Sequence, residues 1–238
     1  KAETREIIDE TFIDPWDNPN PIKRVIKVKQ FAWTDKQKDF FKIALNHDTQ
    51  IVFVNGPAGT AKTLLSVYCG LQLLNMKAIS DIMYLRSAVE SSDSKLGYLP
   101  GTAEDKLRFY NMPFLDKLDE LLPNTRAEKL ENEGRISMFP VNFARGMNWT
   151  NKCVILDEAQ NSSLKEITTV LTRLGKGSRC FVLADPMQTD LKGNMACGGF
   201  ESMFSTFSDR ESVDMGVHTF NFTEDDIMRS ELCKFVIK

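Results

Sequence analysis

Short apolar runs that end in a glycine, an acid or a polar residue alternate with longer, helix-like segments along most of the chain. Several of these runs are apolar on both faces, which is the pattern of strands buried in a parallel sheet. The runs that predict strands are QIVFV, DIMYLRS, KCVILDEA, SRCFVLAD and VHTFNF.

Helical segments separate the predicted strands. The run KTLLSVYCGLQLLNM predicts a mostly apolar helix, and residues 102–132 predict helices that two prolines interrupt. A capping box of Ser163 and Glu166 starts a further helix that closes at Gly175. Its apolar stripe is predicted to consist of Leu164, Ile167, Leu171 and Leu174. Strands that alternate with helices imply an α/β fold with a mostly parallel sheet, helices on both faces and ligands at the carboxyl ends of the strands.

The first 33 residues differ from the rest, and we assign them to an N-terminal arm and edge strand ahead of a single domain of residues 34–238. Residues 1–20 are polar, and three prolines fall among residues 15 to 21. In PIKRVIKVKQ, lysines alternate with Val and Ile, which predicts an edge strand that is protected against aggregation. Contact with nucleic acid is the alternative interpretation of this basic stretch.

Composition narrows the function classes. The five cysteines form no C-x-x-C pair and the chain has two histidines, so we expect a reducing, cytoplasmic setting and no zinc site. No apolar run approaches the roughly 20 residues that span a bilayer, so we expect no membrane contact. The net charge of −3 gives no overall basic surface, and nucleic-acid binding would need a local patch. Lys1 is not an initiator methionine, which leaves open whether residues precede it.

The stretch GPAGTAKT follows a predicted strand and opens a predicted helix. That context fits a phosphate-binding loop of the form G-x-x-x-x-G-K-[ST], whose backbone N–H groups bind an anion at a helix N-terminus. Lys62 would reach the β- and γ-phosphates of a nucleotide, and the Thr63 hydroxyl would bind Mg²⁺. The residues expected to contact the nucleotide are Gly56, Pro57, Ala58, Gly59, Thr60, Ala61, Lys62 and Thr63.

Ala61 stands where this pattern has its second glycine. Alanine keeps its backbone N–H and is the best helix former at a position where the loop becomes a helix. We therefore predict a helical Ala61 with φ < 0, in a loop that still binds ATP. A positive φ at this residue would cost an alanine about 1–2 kcal/mol.

Two further strand ends carry acids. In VILDEAQN, an apolar run delivers Asp157 and Glu158 to the end of a strand. Asp157 would hold Mg²⁺ through water, and Glu158 would orient and deprotonate an attacking water molecule. In LADPMQTD, Asp185 ends a strand and Gln188 is placed to sense the γ-phosphate or to position water. A plain turn at the Asp-Pro pair is the alternative interpretation.

Six segments occur in the order found in the PhoH-like ATPases: GPAGTAKT, KLGYLPG, ARGM, VILDEAQN, LTRLGKGS and ADPMQTD. The closing FNFTEDDIMRS is also similar to the end of that family. The chain resembles the family over roughly residues 34 to 238, with three departures: Ala61, Ala184 and an LRSAVE that lacks the family's Arg-Pro. The resemblance implies one RecA-like P-loop NTPase domain, related to the superfamily 1 helicase core. The small size and the divergent glycines would suit a bacteriophage-encoded member of the family.

The resemblance also implies an ATPase that uses ATP and Mg²⁺, forms a homo-oligomer with a hexameric ring among its arrangements, and acts on RNA or single-stranded DNA. Gln37 falls where helicase-like proteins place a glutamine that reads adenine, although Thr34 and Gln37 also match a capping box. Such a domain needs an arginine to offset charge on the transferred phosphoryl group, and Arg229 and Arg173 are the candidates. Arg173 lies off the apolar stripe of its helix and Arg229 has acidic neighbours, so each also has a plain structural interpretation.

The sequence therefore predicts Mg²⁺-dependent ATP hydrolysis coupled to RNA or single-stranded nucleic-acid binding or unwinding in an oligomeric ring. One alternative is a nucleotide-gated assembly or interaction protein that hydrolyses ATP slowly and has no helicase activity. A small-molecule kinase is another, but DEAQ together with DPMQTD favours an ATPase over it. Arg86 and Arg145 lie at strand ends. Each has two interpretations, contact with phosphate or the nucleic-acid backbone and a structural role.

Overall fold

The computed structural model describes residues 18–86, 111–123, 126–144, 146–188 and 199–228. These residues form a sheet in which every pair of neighbouring strands is parallel, with helices packed on both faces. The expected α/β fold of the RecA-like P-loop type is confirmed by this arrangement.

Six strands make the sheet, in the spatial order β3-β2-β4-β5-β1-β6. Their bounds are β1 Ile51–Asn55, β2 Asp81–Arg86, β3 Ile136–Pro140, β4 Lys152–Asp157, β5 Arg179–Ala184 and β6 Val217–Asn221. All five predicted strands are present. The sequence pattern does not predict β3, because this short strand lies at the sheet edge and its residues after Ile136 are only half-buried.

Seven α-helices lie in the described residues. Their bounds are α1 Asp35–Ala44, α2 Lys62–Asn75, α3 Met112–Leu121, α4 Arg126–Asn132, α5 Leu164–Leu171, α6 Gly199–Thr206 and α7 Arg210–Asp214. Pro113 lies in the first turn of α3, where its missing N–H has no helical partner to lose, so it starts this helix and does not interrupt one. No helix in this part of the chain is both long and apolar enough to cross a membrane.

Alternate residues of each central strand belong to two different apolar layers, which explains why the strand runs are apolar throughout. On β1, Val52 and Val54 belong to the layer that contains Leu65 of α2. Phe53, between them, belongs to the layer that contains Ile167 of α5. Because both faces of the sheet are covered, polar functional groups emerge at the carboxyl ends of its strands.

Residues 21–30 form no strand, so the predicted edge strand is wrong. The backbone of Ile26 pairs instead with a side chain of α2. The Ile26 N–H donates to Asn75 Oδ1 at 2.7 Å, and Asn75 Nδ2 donates to the Ile26 carbonyl oxygen at 2.9 Å. Ile26 is buried in the same layer as α2, so the segment crosses the helices and does not extend the sheet. The division of the chain at residues 33 and 34 stays a prediction.

Helix α5 begins as predicted but ends earlier. The Glu166 N–H donates to Ser163 Oγ and the Ser163 N–H donates to the Glu166 carboxylate, which confirms the capping box. The helix ends at Leu171. Ile167 is buried but Leu164 is 49% exposed, so the predicted apolar stripe is wrong at its first member.

Candidate functional site

The loop between β1 and α2 has the backbone shape of an anion-binding site. Gly59 has a φ of 88° and Ala61 a φ of 63°, and Thr60 between them is not left-handed. Alternation of left-handed and right-handed residues points successive N–H groups to one side, which makes a nest for an anion. The nest leads directly into α2, whose N-terminus also favours negative charge.

The prediction of φ < 0 at Ala61 is wrong. Ala61 is the N-cap of α2 with φ 63° and ψ 20°, in the left-handed region, and the helix begins only at Lys62. The nest requires this geometry at the residue before the lysine, and that requirement overrides the helix preference of alanine. A left-handed alanine stores about 1–2 kcal/mol of strain. Strain of this kind is found at functional sites.

Replacing Ala61 by Gly is therefore expected to stabilise the protein. Glycine avoids the penalty of about 1–2 kcal/mol but loses roughly 0.5–1 kcal/mol through its greater freedom in the unfolded chain. We expect the free energy of unfolding to rise by about 0–1.5 kcal/mol in urea titrations. Ala127→Gly is the control, because Ala127 lies in helix α4 and its φ is not positive. This variant should lower the free energy of unfolding by about 0.5–1 kcal/mol. A less stable Ala61→Gly variant would contradict the strained geometry.

Gly56 is required by the close approach of the chain that follows β6. A Cβ atom at Gly56 would lie 2.7 Å from Phe222 Cβ and 3.2 Å from the Phe222 carbonyl oxygen. The Phe222 N–H donates to the Asn55 carbonyl at 2.8 Å, and the Met228 N–H donates to the Gly59 carbonyl at 3.0 Å. The chain after β6 thus contacts the phosphate loop at its start and again at Gly59.

Lys62 lies inside the curve of the loop. Its Nζ donates to the carbonyl oxygens of Gly56 at 2.6 Å and Pro57 at 2.9 Å. An ammonium group has three donors, so one remains for a phosphate oxygen. Burial lowers the pKa of Lys62, and the nearby carboxylates of the site oppose that shift. The charged side chain is therefore held at the base of the nest.

A cavity of about 540 Å³ opens above this loop, at the carboxyl ends of β1, β4 and β5. Its lining consists of Ala58, Gly59, Ala61, Lys62, Thr63, Leu64, Lys117, Glu120, Asp157, Glu158, Gln160, Leu183, Ala184, Asp185, Gln188 and Met228. The structure thus brings the phosphate loop together with the three predicted strand-end acids, Asp157, Glu158 and Asp185, and with Gln188.

Thr63 and Asp157 have the geometry expected of a pair that binds a metal ion. Thr63 Oγ1 donates to Asp157 Oδ2 at 3.0 Å, and the Glu158 N–H donates to Asp157 Oδ1 at 3.0 Å. Among the described residues, no group of three or more His, Cys, Asp or Glu could hold a metal ion by itself. Mg²⁺ in nucleotide sites usually takes one or two protein oxygens together with water and phosphate oxygens. One carboxylate and one hydroxyl beside the nest fit that requirement.

Glu158 is the second acid at the end of β4 and has a left-handed backbone, with φ 56°. Its Oε2 accepts from Gln160 Nε2 at 2.6 Å, and Arg86 Nη2 lies 3.9 Å from its Oε1. Burial raises the pKa of Glu158, and the charge of Asp157 adds to the rise. A carboxylate with a raised pKa on the wall of a nucleotide-sized cavity is suited to accept a proton from water.

Gln160 links Glu158 to the end of β5. Its Oε1 accepts from the Asp185 N–H at 3.1 Å, and its Nε2 lies 3.5 Å from the Gln188 carbonyl oxygen. Asp185 Oδ1 in turn accepts from the Met187 N–H, so the Asp-Pro pair does form a turn. That turn leaves Gln188 exposed on the cavity wall, where its role towards the γ-phosphate or water stays a prediction.

Arg173 lies at the opposite ends of the strands from the cavity, near the residues at which β4 and β5 begin. Its carbonyl oxygen accepts from the Trp149 N–H at 2.8 Å, and Trp149 bridges to Leu174. These residues precede β4 and β5, whereas the cavity lies where the same strands end. Arg173 is thus remote from the phosphate loop of its own chain. Arg229, Arg145 and the KLGYLPG segment lie outside the described residues.

Gln37 has the capping role that the sequence also predicts. Its Oε1 accepts from the Thr34 N–H at 3.0 Å, and its own N–H donates to Thr34 Oγ1 at 3.2 Å. Gln37 is buried and does not line the cavity. Contact of Gln37 with adenine stays a prediction.

Sequence reasoning misses four side chains of the site. The Tyr84 hydroxyl donates to Asp157 Oδ2 at 2.9 Å, and Gln160 binds Glu158. Lys117 and Glu120 of α3 form an ion pair at 2.9 Å on the cavity wall. Gln160 could have been noticed as the glutamine of DEAQ, but Tyr84 and the two α3 residues carry no local signal, because only the packing of β2 and α3 brings them there.

The model of the PhoH-like protein family matches residues 30–238. A PhoH-like protein of Synechocystis sp. is 34% identical over 207 residues, which are 87% of this chain and 61% of the relative. A PhoH-like protein of Bacillus subtilis is 33% identical over 196 residues, 82% of this chain and 60% of the relative. The protein PhoH of Escherichia coli is 32% identical over 187 residues, 78% of this chain and 51% of the relative. This chain spans about half to three-fifths of the length of these relatives, and it belongs to the PhoH-like family.

Proposed function

We propose that this chain is an Mg²⁺-dependent ATPase. The observation that carries the proposal is the contact of Thr63 with Asp157, at 3.0 Å, directly beside the nest of residues 59–61. A phosphate cradle, a metal-binding pair and a carboxylate base around one cavity are the groups that transfer of a phosphoryl group to water requires. Membership of a family of P-loop ATPases supports the same reaction.

Each side chain of the site has its own task in this reaction. The N–H groups of the nest and Lys62 bind the phosphates and stabilise the charge that develops on the transferred group. Thr63 and Asp157 would hold Mg²⁺, which neutralises phosphate charge when it is bound. Glu158 accepts the proton of the attacking water, and Gln188 orients that water.

Hydrolysis is coupled, in this proposal, to binding and unwinding of RNA or single-stranded DNA. The segment ahead of α1 supports the coupling, because Lys23, Lys27 and Lys29 are all exposed along it. Lysines spaced along an extended segment can neutralise successive phosphates of a single strand. They supply the local basic patch that a chain of net charge −3 needs for nucleic-acid binding.

The proposed active form is a homo-oligomeric ring, with six subunits as the expectation. No arginine from the described residues lines the cavity. We propose that a neighbouring subunit supplies the arginine that offsets phosphoryl charge. Arg173 is one candidate for this role, because it lies before β4 and β5, at the opposite ends of the strands from the cavity of its own chain. Arg229 is the other candidate.

The same lack of an arginine in the described lining favours a second candidate function. A protein that binds ATP without a completed catalytic set would hydrolyse it slowly. Such a protein would act as a nucleotide-gated assembly or interaction protein, with no helicase activity.

ATP turnover measured during titrations with RNA and single-stranded DNA, with the protein sized in the same buffer, tests these proposals. We expect Mg²⁺-dependent turnover in the oligomeric fraction, stimulated by nucleic acid and less so as the salt concentration rises. A combined Lys23→Gln, Lys27→Gln and Lys29→Gln variant should lose much of the stimulation. A combined Lys36→Gln, Lys38→Gln and Lys42→Gln variant of α1 is the control, because it removes the same number of charges. Slow turnover that nucleic acid does not change, in a stable oligomer, would favour the second candidate, and absence of ATP binding would overturn both.

A further inference from the structure

We propose that Tyr84 is a positioning residue of the metal site, whose buried hydroxyl fixes the Asp157 carboxylate in the orientation that a divalent cation needs. The inference rests on the proposed ATPase function. It concerns a side chain of β2 that lies outside the phosphate loop and outside both acidic segments.

The Asp157 carboxylate has three donors, and Tyr84 provides one of the two on Oδ2. The Tyr84 hydroxyl donates to Oδ2 at 2.9 Å and Thr63 Oγ1 donates to the same atom at 3.0 Å. The Glu158 N–H donates to Oδ1 at 3.0 Å. These bonds fix both oxygens, so the carboxylate cannot rotate about its Cβ–Cγ bond without losing one of them.

Tyr84 is itself held rigidly. The residue is fully buried, and its ring stacks on Phe114 of α3, with centroids 4.6 Å apart and planes 13° from parallel. Strand β2 pairs with β4 in a register that sets Tyr84 opposite Ile155 and Arg86 opposite Asp157. A neighbouring strand and a packed helix thus fix where the hydroxyl lies.

The Tyr84 hydroxyl is the donor of this pair, because the carboxylate oxygen of Asp157 accepts the hydrogen bond. A buried tyrosine hydroxyl costs folding free energy unless it is hydrogen-bonded. Asp157 satisfies this one, so an apolar residue of the same shape would pack equally well but would leave the carboxylate less restrained.

Tyr84 and Thr63 have different tasks at Asp157 Oδ2. Thr63 lines the cavity, and its Oγ1 would offer a lone pair to the cation while it donates its hydrogen to the carboxylate. Tyr84 lies outside the lining, and its hydroxyl donates to the carboxylate from behind. Groups behind metal ligands orient them, and their loss commonly weakens metal binding 10- to 100-fold by rough estimate. Tyr84 is the group behind Asp157 in this sense.

Tyr84→Phe keeps the ring and its stack and removes the hydroxyl. We expect the affinity for Mn²⁺, used as a spectroscopic substitute for Mg²⁺ and measured by electron paramagnetic resonance with ADP present, to fall about 10- to 100-fold. Affinity for ADP without a divalent cation should not change. Tyr68→Phe is the matched control, since its hydroxyl binds Gln30 at 3.3 Å in the same apolar layer, and its Mn²⁺ affinity should equal that of the wild type.

The outcomes separate this inference from the proposed function. If the wild type binds no Mn²⁺ with ADP, the ATPase proposal itself fails. If the wild type binds both but Tyr84→Phe binds Mn²⁺ as tightly as Tyr68→Phe does, the inference is overturned. Equal losses of ADP and Mn²⁺ affinity in Tyr84→Phe would also overturn it, because they would show a general effect on the fold.

A second measurement does not depend on the stability of the variant. With 3-fluorotyrosine at the four tyrosines, the ¹⁹F resonance of Tyr84 should shift when Mg²⁺ is added to the ADP complex, and that of Tyr68 should not. A Tyr84 resonance that does not respond to Mg²⁺ would overturn the inference.

Discussion

Lys62→Ala is expected to lower ATP turnover about 100- to 1000-fold, the usual effect of removing one donor that stabilises developing charge. Two of the Lys62 donors bind the carbonyl oxygens of Gly56 and Pro57, and the third is directed to phosphate in the proposed reaction. The variant therefore loses a phosphate contact and also the bonds that hold the loop around it. Steady-state turnover at saturating Mg²⁺ and equilibrium ATP binding measure the two losses separately.

Lys42→Ala is the control for this variant. Lys42 is an exposed lysine of α1 that pairs with Asp39 at 2.9 Å, so its loss should leave turnover unchanged. Exposed ion pairs contribute little to stability, about 0–1 kcal/mol. A Lys62→Ala variant that turns over ATP as fast as Lys42→Ala would refute the proposed site.

The fold is predicted from sequence largely because the sheet is buried on both faces. Strands such as β4 and β5 contain continuous apolar runs, and an acid marks the carboxyl end of each: Asp157 ends β4 and Asp185 directly follows β5. The same logic fails at β3, an edge strand without such a run, and at residues 21–30. The alternating lysines of residues 21–30 match the pattern of an edge strand. The backbone of this segment instead bonds to Asn75 of α2 and Leu121 of α3, and local periodicity does not reveal such distant partners.

Ala61 shows a different limit of sequence reasoning. Helix propensity is a local preference, and among ordinary residues it differs by less than about 1 kcal/mol per residue. The conformation of Ala61 is instead set by how the whole loop arranges its N–H groups, together with its left-handed partner Gly59. Phosphate loops have a glycine at this position because the backbone there is left-handed. The alanine in its place therefore indicates a strained backbone at residue 61.

The acids of the site are predictable, but the groups around them are not. Asp157 and Glu158 follow from their place at a strand end, and the structure sets both beside the phosphate loop. Their partners Tyr84 and Gln160 come from a neighbouring strand and from the turn after β4. A tyrosine within an apolar run, such as Tyr84, looks like an ordinary core residue in the sequence. Only the pairing of β2 with β4 shows that its hydroxyl contacts Asp157.

Glu158→Gln is expected to lower ATP turnover about 100- to 10,000-fold, the range for loss of a general base, while the variant still binds ATP and Mg²⁺. The amide keeps the size of the side chain but cannot take a proton from water. Glu201→Gln, at an exposed position of α6, is the control and should keep wild-type turnover. Single-turnover hydrolysis and binding of a nonhydrolysable ATP analogue separate chemistry from binding.

The pH dependence of turnover tests the same role without removing the side chain. A general base works only when it is ionised, so activity is present above the pKa of Glu158 and is lost as the pH falls through it. Burial raises that pKa, with Asp157 as the second cause, so the loss should begin at a higher pH than for an ordinary glutamate. The residual activity of Glu158→Gln should lack this acidic limb. If the limb persists in that variant, or if turnover is unchanged, another group takes the proton and Glu158 serves only to pair with Gln160 and Arg86.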